Sequence, residues 1–191
     1  MGEIGYFFDC HNTLIKSNEA WIKSFAEYVP RNYVEDIELK LYGKKKRRDI
    51  AKEYALDFQF VEKGADKYME QNALIIDFVK LLKAQGKHLF IVSNAPRYRV
   101  EMDLDNVGIR DFFDEIYTAE EGGKQNQDIF NTILSKYSLE LGLFIGNEEF
   151  DDHIDHQRII SVALTSFLRK RFNIVQGYRL DENGVIYGGE L

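Results

Sequence analysis

The chain has 191 residues, of which 45% are hydrophobic and 14% aromatic, so it can form a folded core and is not a disordered protein. Its length fits one α/β domain with a modest insertion better than two independent domains. The formal net charge of −7 argues against broad nucleic-acid binding, which requires an excess of Lys and Arg to neutralise phosphates.

Cysteine usage and hydropathy indicate the compartment. The single cysteine, Cys10, cannot form an intrachain disulfide and fits a reducing environment. The first residues lack the basic and apolar regions of a secretory signal, and no apolar run approaches the ~20 residues that span a membrane. We therefore expect a cytoplasmic protein that does not bind membranes.

Short apolar runs that alternate with helical patterns predict the fold class. The runs typical of buried strands occupy residues 4–8, 88–92, 141–145 and 159–164, with a weaker one at 115–118. Apolar residues at helical spacing predict helices at 74–82, 97–107 and 126–138. Tyr98, Met102 and Val107, with Gly108 at the end, mark the helix at 97–107. This alternation predicts a three-layer α/β fold around a doubly wound parallel sheet.

Residues 16–71 contain several helical patterns and no convincing strand. A helical insertion directly after the first strand is expected to lie above the carboxyl end of that strand, where open parallel sheets bind ligands. We therefore predict an α/β core formed by residues 1–15 and 72–191, and a helical cap formed by residues 16–71.

Two further segments have no functional assignment from the sequence. The basic run at 44–48 is most simply a solvated turn and the first turn of a helix, although an anion contact on the cap or a partner-binding patch are alternatives. Residues 181–184 carry a turn signal between two short apolar segments, which predicts a hairpin near the C-terminus.

Polar residues cluster after the predicted strands. Because adjacent strand ends meet at one edge of a doubly wound sheet, these residues are expected to converge on one crevice. They are Asp9 after the first strand, Ser93 and Asn94 after the second, Lys124 before the helix at 126–138, and Asn147 and Asp151 after Gly146.

Each of these residues also has a simpler interpretation. Asp9 could be a turn or N-cap residue, and Ser93 with Asn94 could cap a helix, a role compatible with phosphate binding at the same helix end. Lys124 could lie on the surface, but a cation near the start of a helix opposes the helix dipole and so needs another reason. The joint order and spacing of the clusters favour the functional interpretation.

These motifs resemble those of the haloacid dehalogenase superfamily along nearly the whole chain. The family's first motif, a strand followed by Asp-x-Asp-x-Thr, is similar to residues 8–14 (Phe-Asp-Cys-His-Asn-Thr-Leu). Residues 91–95 (Ile-Val-Ser-Asn-Ala) resemble the second motif, and Lys124 with Phe130 resembles the third. Residues 146–151 resemble the fourth motif, Gly-Asp-x-x-x-Asp, and the helical insertion stands where the family's first type of cap stands.

The resemblance implies a role for each position. Asp9 would be the nucleophile that forms a covalent aspartyl intermediate, and Lys124 would neutralise both the nucleophile and the transferred group. Ser93 would bind the substrate phosphate with the Asn94 amide beside it, and Thr13 belongs to the same set, although a structural role near the nucleophile is the simpler interpretation for it. A magnesium ion would bind the metal ligands that the resemblance implies, which are Asp9, the backbone carbonyl of His11, Asn147 and Asp151.

The match fails at two positions of the chemistry. Family phosphatases use a second carboxylate as general acid and base where this chain has His11, which can also exchange protons near neutral pH. Asn147 replaces a metal-binding aspartate and removes one negative charge, for which Glu148 or Asp152 could compensate, although Asp152 could equally be a surface carboxylate. His153, Asp155 and His156 resemble a metal-ligand cluster but are more simply solvated loop residues.

Three functions follow from these observations. The first is a magnesium-dependent phosphohydrolase of a small phosphorylated metabolite, with Asp9, His11 and Lys124 as catalytic residues. The second is a non-catalytic or regulatory protein that keeps the phosphate pocket. The third is a metal-independent carbon–halogen hydrolase, which also lacks the second aspartate. The sequence indicates neither the oligomeric state nor the substrate.

Overall fold

A computed structural model describes residues 3–147, 152–164, 172–174, 178–180 and 186–188. The strands of its larger sheet are, in chain order, β1 Ile4–Phe8, β2 Leu89–Val92, β3 Glu115–Tyr117, β4 Leu141–Gly146, β5 Ile159–Leu164 and β6 Phe172–Ile174. The order across this six-stranded sheet is β3-β2-β1-β4-β5-β6. The strands from β3 to β5 are parallel, which confirms the predicted fold class.

The strand order reverses beside β1. From β1 the chain moves outward to β2 and β3, and it then returns to place β4 on the other side of β1. Ligands of open α/β sheets bind at such a reversal, outside the carboxyl ends of the strands. The residues that directly follow β1 and β4 are therefore candidates for a ligand-binding site. The antiparallel edge strand β6 was not predicted from the sequence.

Helices flank this sheet. They are α5 Ala73–Ala84, α6 Arg97–Asn106 and α7 Gln127–Lys136. The apolar strands are buried almost throughout, and four aromatic rings form the centre of one core cluster: Phe7, Phe90, Phe130 and Phe144. Phe7 packs 5.0 Å from Phe90 and 5.4 Å from Phe130 between ring centroids. Within the described part of the chain, none of the helices combines the length and apolarity that crossing a bilayer requires.

Helix α6 forms where it was predicted, but two of the residues that marked it in the sequence are not buried. Tyr98 is 67% exposed and Met102 36% exposed. The buried residues are Arg99, Val100, Asp103 and Leu104. Two of these carry charge, and they are buried because they form an ion pair with each other, so a pattern of apolar residues could not locate this face.

The chain divides into two compact units, Met1–Leu14 with Asn72–Leu191 and Ile15–Gln71. We call the first the α/β unit and the second the helical unit. The helical unit contains α1 Ser17–Ala26, α2 Val34–Tyr42, α3 Arg47–Glu53 and α4 Phe58–Lys67. Its core combines one apolar stripe from each helix, listed as Trp21, Phe25, Ile37, Leu41, Ile50, Ala51, Val61 and Ala65. The role of this unit as a cap stays a prediction.

Part of the basic run at 44–48 covers the aromatic core of the helical unit. The Arg47 guanidinium lies 4.9 Å from the centre of the Trp21 ring, and the Arg48 guanidinium lies 5.0 Å from that of Phe58. The two rings are stacked on each other. Both arginines therefore contribute cation–π packing within this unit, in addition to their charge.

The C-terminal hairpin forms from two short antiparallel strands. They are β7 Tyr178–Leu180 and β8 Ile186–Gly188, with Arg179 opposite Tyr187. The predicted turn at 181–184 lies outside the described residues. The paired strands agree with the hairpin expected from the sequence.

Truncating the buried ring of Phe130 should destabilise the protein strongly. Phe130→Ala removes a fully buried ring on α7 and leaves a cavity, which is expected to lower the free energy of unfolding by about 3–5 kcal/mol. The matched control is Tyr98→Ala on α6, whose exposed ring should change it by about 0.5 kcal/mol or less. Urea denaturation followed by circular dichroism measures both, and equal losses would contradict the proposed core.

Candidate active site

Asp9 is the first residue after the central strand β1. Its backbone N–H donates to the carbonyl of Ile145 on β4 at 2.9 Å, so the two strands hold it at the switch point. The turn that follows places Asn12 in the left-handed region with φ of 62°. Asp9 is only 6% exposed, and its carboxylate therefore needs a partner.

That partner is Lys124. Its Nζ lies 2.8 Å from Asp9 Oδ1 and also donates a hydrogen bond to Asp152 Oδ1. Burial opposes the charge of the ammonium, but the carboxylates of Asp9 and Asp152 outweigh it and raise the Lys124 pKa above its ordinary value. Because folding raises this pKa, the stabilisation is fully present at neutral pH and is lost only as pH rises through the folded-state value.

Asp152, one residue after the predicted fourth motif, is the acidic residue that the structure brings to the site. It is 3% exposed, so the interpretation as a surface carboxylate is wrong. A Cβ on Gly146 would lie 2.2 Å from Asp152 Cγ, which shows that the carboxyl group packs directly against the Gly146 backbone. Asp151, the residue chosen from the sequence, lies outside the described residues. The glycine before Asn147 was the available signal for this close approach.

Ser93 and Asn94 follow β2 and have different partners. Ser93 is 2% exposed, and its Oγ accepts from the Ala95 backbone N–H at 3.2 Å, which leaves the hydroxyl proton available to donate. Asn94 Oδ1 accepts from the Lys124 backbone N–H at 2.9 Å. A Cβ on Gly123, whose φ is 60°, would meet Asn94 Oδ1 at 2.3 Å. Asn94 thus holds the loop that carries Lys124.

Thr13 connects Asp9 to the fourth motif. Its hydroxyl oxygen lies 3.4 Å from Asp9 Oδ2 and 3.3 Å from Asn147 Oδ1, and the residue is fully buried. One hydroxyl proton serves both acceptors, so the two hydrogen bonds are alternatives. This geometry gives Thr13 a role in fixing the Asp9 side chain.

His11 is bonded through one ring nitrogen. Its Nε2 lies 2.8 Å from Oδ2 of Asp103, which is fully buried on α6. The same carboxylate is paired with Arg99, whose Nε donates to Oδ2 at 2.8 Å. Neither Asp103 nor Arg99 was identified from the sequence, because charged residues four apart on a helix normally indicate a solvated face.

These residues surround one cavity of about 210 Å³. The residues that line it are Asp9, His11, Asn12, Ser93, Asn94, Ala95, Lys124, Asn147 and Asp152. The walls therefore combine two carboxylates, one ammonium, one imidazole and several neutral hydrogen-bonding groups. A cavity of this size and polarity fits a small polar ligand.

The comparison with protein families agrees with this arrangement. The profile described as haloacid dehalogenase-like hydrolase matches residues 6–154, which is most of the chain. The chain belongs to this family. The pyrophosphatase PpaX of Bacillus thuringiensis (strain Al Hakam) is 29% identical over 129 residues, which cover 60% of this chain and 58% of that protein. The aligned part thus leaves a large share of this relative unmatched.

Solved structures of other haloacid dehalogenase-like hydrolases share the fold. A hydrolase from Streptococcus pneumoniae TIGR4 has a TM-score of 0.63 at 19% identity, covering 88% of this chain and 96% of that one. A subfamily IA, variant 1 hydrolase from Geobacter sulfurreducens PCA has a TM-score of 0.59 at 17% identity, covering 78% and 81%. At these identities the likeness concerns the fold alone.

The oxygen atoms around Thr13 fit a magnesium ion, the metal expected of a family phosphatase. Asp9 Oδ2 and Asn147 Oδ1 converge on the Thr13 hydroxyl, and Mg²⁺ in proteins is commonly held by one or two carboxylates with water and substrate phosphates. Among the described residues there is no group of three or more His, Cys, Asp or Glu that could hold a metal. A magnesium ion held by Asp9 and Asn147 would complete its oxygen ligands with water and substrate oxygens.

Two other sequence features stay outside the chemistry. Cys10 is fully buried, and burial together with the Asp9 charge raises its thiol pKa, so the thiol is neutral. Both ring nitrogens of His156 are engaged, Nδ1 by the Arg158 backbone N–H and Nε2 by Asn131 Oδ1. Burial and the nearby Arg158 lower the His156 pKa. The simpler interpretation of His156 as a loop residue fits these bonds.

Removing the Lys124 ammonium should destabilise the folded protein. Lys124→Met leaves Asp9 and Asp152 as two buried carboxylates without a shared cation, and we expect the free energy of unfolding to fall by about 3–5 kcal/mol. The double variant Lys124→Met/Asp152→Asn should lose less, because one uncompensated charge is gone. Urea denaturation of both variants tests this, and equal losses would contradict the shared ion pair.

Proposed function

We propose that this hydrolase is a phosphatase of a small phosphorylated metabolite that works through an aspartyl-phosphate intermediate on Asp9. The observation that carries the proposal is the buried pair of Asp9 and Lys124 on the wall of a small polar cavity. A carboxylate nucleophile needs a nearby cation when the group that it attacks is itself anionic. Ser93 adds a hydroxyl donor to the same wall.

In the first step, Asp9 attacks phosphorus and the bond to the substrate oxygen breaks. The leaving oxygen takes a proton from His11, so the products are an alcohol and the aspartyl phosphate. In the second step, water attacks phosphorus while His11 removes its proton, and the phosphate departs with restoration of the Asp9 carboxylate. Lys124 and the Ser93 hydroxyl stabilise the charge on the transferred group throughout.

We include a magnesium ion in the proposal because it would neutralise negative charge on the phosphate oxygens. Asp9, Asn147 and the His11 backbone carbonyl are the described groups that would hold it, with Asp151 as a further candidate from the sequence. We propose that the helical unit, inserted directly after the turn that carries Asp9, serves as the cap that selects the substrate. The cavity of about 210 Å³ favours a small substrate.

The name of the aligned relative suggests where to look for the substrate. Pyrophosphatase PpaX matches only part of this chain, so inorganic pyrophosphate belongs in a panel together with sugar phosphates, phosphorylated carboxylic acids and an aryl phosphate. Phosphate release from one or more members, abolished by EDTA, is the expected result. Binding of phosphate without turnover would instead favour the non-catalytic alternative, and EDTA-resistant halide release from 2-haloacids the dehalogenase.

Asp9→Asn should abolish turnover. It removes the attacking carboxylate with little change in size, and we expect phosphate release to fall by roughly 10³-fold or more. The control is Asp105→Asn on α6, an exposed carboxylate that should retain full activity. Mass spectrometry of a rapidly quenched reaction should detect a phosphate adduct on the active protein and none on Asp9→Asn. Comparable rates in the two variants would contradict a nucleophilic Asp9.

Asn147→Asp should strengthen the dependence on magnesium that we propose. The new carboxylate adds one negative charge beside Thr13, and we expect the magnesium concentration for half-maximal activity to fall roughly tenfold. Asn147→Ala should raise that concentration. Titration of phosphate release with MgCl₂ measures the series, and an unchanged midpoint in both variants would show that residue 147 does not contact the ion.

A further inference from the structure

Helix α6 buries an ion pair where it could have buried apolar side chains. Asp103 is fully buried, and the Arg99 side chain is 7% exposed. Arg99 holds Asp103 through two contacts, Nε to Oδ2 at 2.8 Å and Nη2 to Oδ1 at 2.7 Å. A buried ion pair stabilises a fold no better than well-packed apolar residues of similar volume. The presence of this ion pair on the buried face of α6 therefore suggests a role besides stability.

The contact of this pair with His11 suggests that role. Asp103 Oδ2 lies 2.8 Å from His11 Nε2, although the two residues are 92 positions apart in the chain. A carboxylate can only accept a hydrogen bond, so Nε2 must be the donor and must carry a proton. In a neutral imidazole the other nitrogen, Nδ1, is then the acceptor. The bond thus selects one tautomer of a ring that lines the cavity.

The Arg99 contact balances the charge of Asp103. The guanidinium lies against the carboxylate, so this buried negative charge has a cation beside it. The guanidinium also limits rotation of Asp103, because Nε donates to Oδ2 and Nη2 lies within ion-pair distance of Oδ1. The acceptor that faces His11 is therefore fixed in position.

We propose that Asp103, held by Arg99, is a positioning residue that fixes the His11 ring with its proton on Nε2. Nδ1 is then the atom that carries the transferred proton: it gives this proton to the leaving oxygen in the first step and takes one back from water in the second. The catalytic part of this inference rests on the proposed phosphatase function, whereas the placement of a proton on Nε2 is a property of the protein without substrate. The His11 ring that Asp103 fixes thus serves as general acid and base in place of the second carboxylate, which this chain lacks.

The tautomer can be measured without any substrate. A long-range proton–nitrogen correlation spectrum of nitrogen-15-labelled protein reports which nitrogen of each of the four histidines is protonated. His11→Gln identifies the His11 signals by their loss. We expect the Nε2–H tautomer for His11 in the native protein and a mixture of tautomers in Asp103→Asn, where the side-chain amide can donate as well as accept.

A second His–carboxylate pair in the same unit supplies the control. His88 Nδ1 lies 3.2 Å from Asp114 Oδ2, and both residues precede strands at the edge opposite to Asp9. Asp114→Asn should change the His88 signals and leave His11 and phosphate release unaltered. This comparison separates a specific effect on His11 from a general loss of stability.

Kinetics test the catalytic part. Asp103→Asn should lower kcat by roughly 10- to 100-fold, the scale found when a group that orients a functional side chain is removed, with a much smaller change in KM. If this variant does not fold because Arg99 is left unpaired, the double variant Arg99→Met/Asp103→Leu removes both charges and tests the same point. The double variant should show the same loss of kcat with a native circular dichroism spectrum.

The outcomes separate this inference from the proposed function. A His11 ring protonated on Nδ1 alone, or a spectrum and kcat that neither Asp103 variant changes, would overturn the inference even if the protein hydrolyses phosphates. The expected tautomer in a protein that releases no phosphate from any substrate would support the Asp103 contact and overturn the phosphatase. A kcat that rises in His11→Asp with Asp103 intact would overturn the catalytic part, because a carboxylate facing Asp103 should be unfavourable.

Discussion

The active site depends on one ammonium group that two buried carboxylates share. Lys124 lies between Asp9 and Asp152, and all three side chains are almost fully withdrawn from solvent. Burying either carboxylate without this cation would be costly, because an unpaired charge loses its hydration on burial. Much of the surrounding backbone serves this contact: Gly146 leaves space for Asp152, and Asn94 with Gly123 fixes the loop that delivers Lys124.

The two departures from the family motifs act on the same charge balance. His11 and Asn147 each stand where the family motif has a carboxylate beside Asp9. Because neither side chain adds a negative charge, both replacements weaken the attraction of the site for a divalent cation.

Helix α6 shows how such a change can be accommodated by the fold. An aspartate at position 11 would have little reason to face Asp103, whereas an imidazole can donate to it. The Arg99–Asp103 pair lies on the buried face of α6, where the two opposite charges face each other and Asp103 also contacts His11. The unusual composition of this helix face is thus tied to the residue at position 11.

The sequence by itself determined the parallel sheet, the helical insertion and the strands of the C-terminal hairpin, because apolar periodicity is a local signal. It also determined the convergence of Asp9, Ser93, Asn94, Lys124 and Asn147, because residues at strand ends are local signals too. Tertiary structure decided the contacts that need distant partners. It placed Asp152 beside Lys124 and Asp103 beside His11. On helix α6 it left Tyr98 and Met102 exposed and buried Arg99 and Asp103. A pattern of apolar residues locates buried faces but does not record which charges are buried, because a charge is buried only where the fold brings a partner to it.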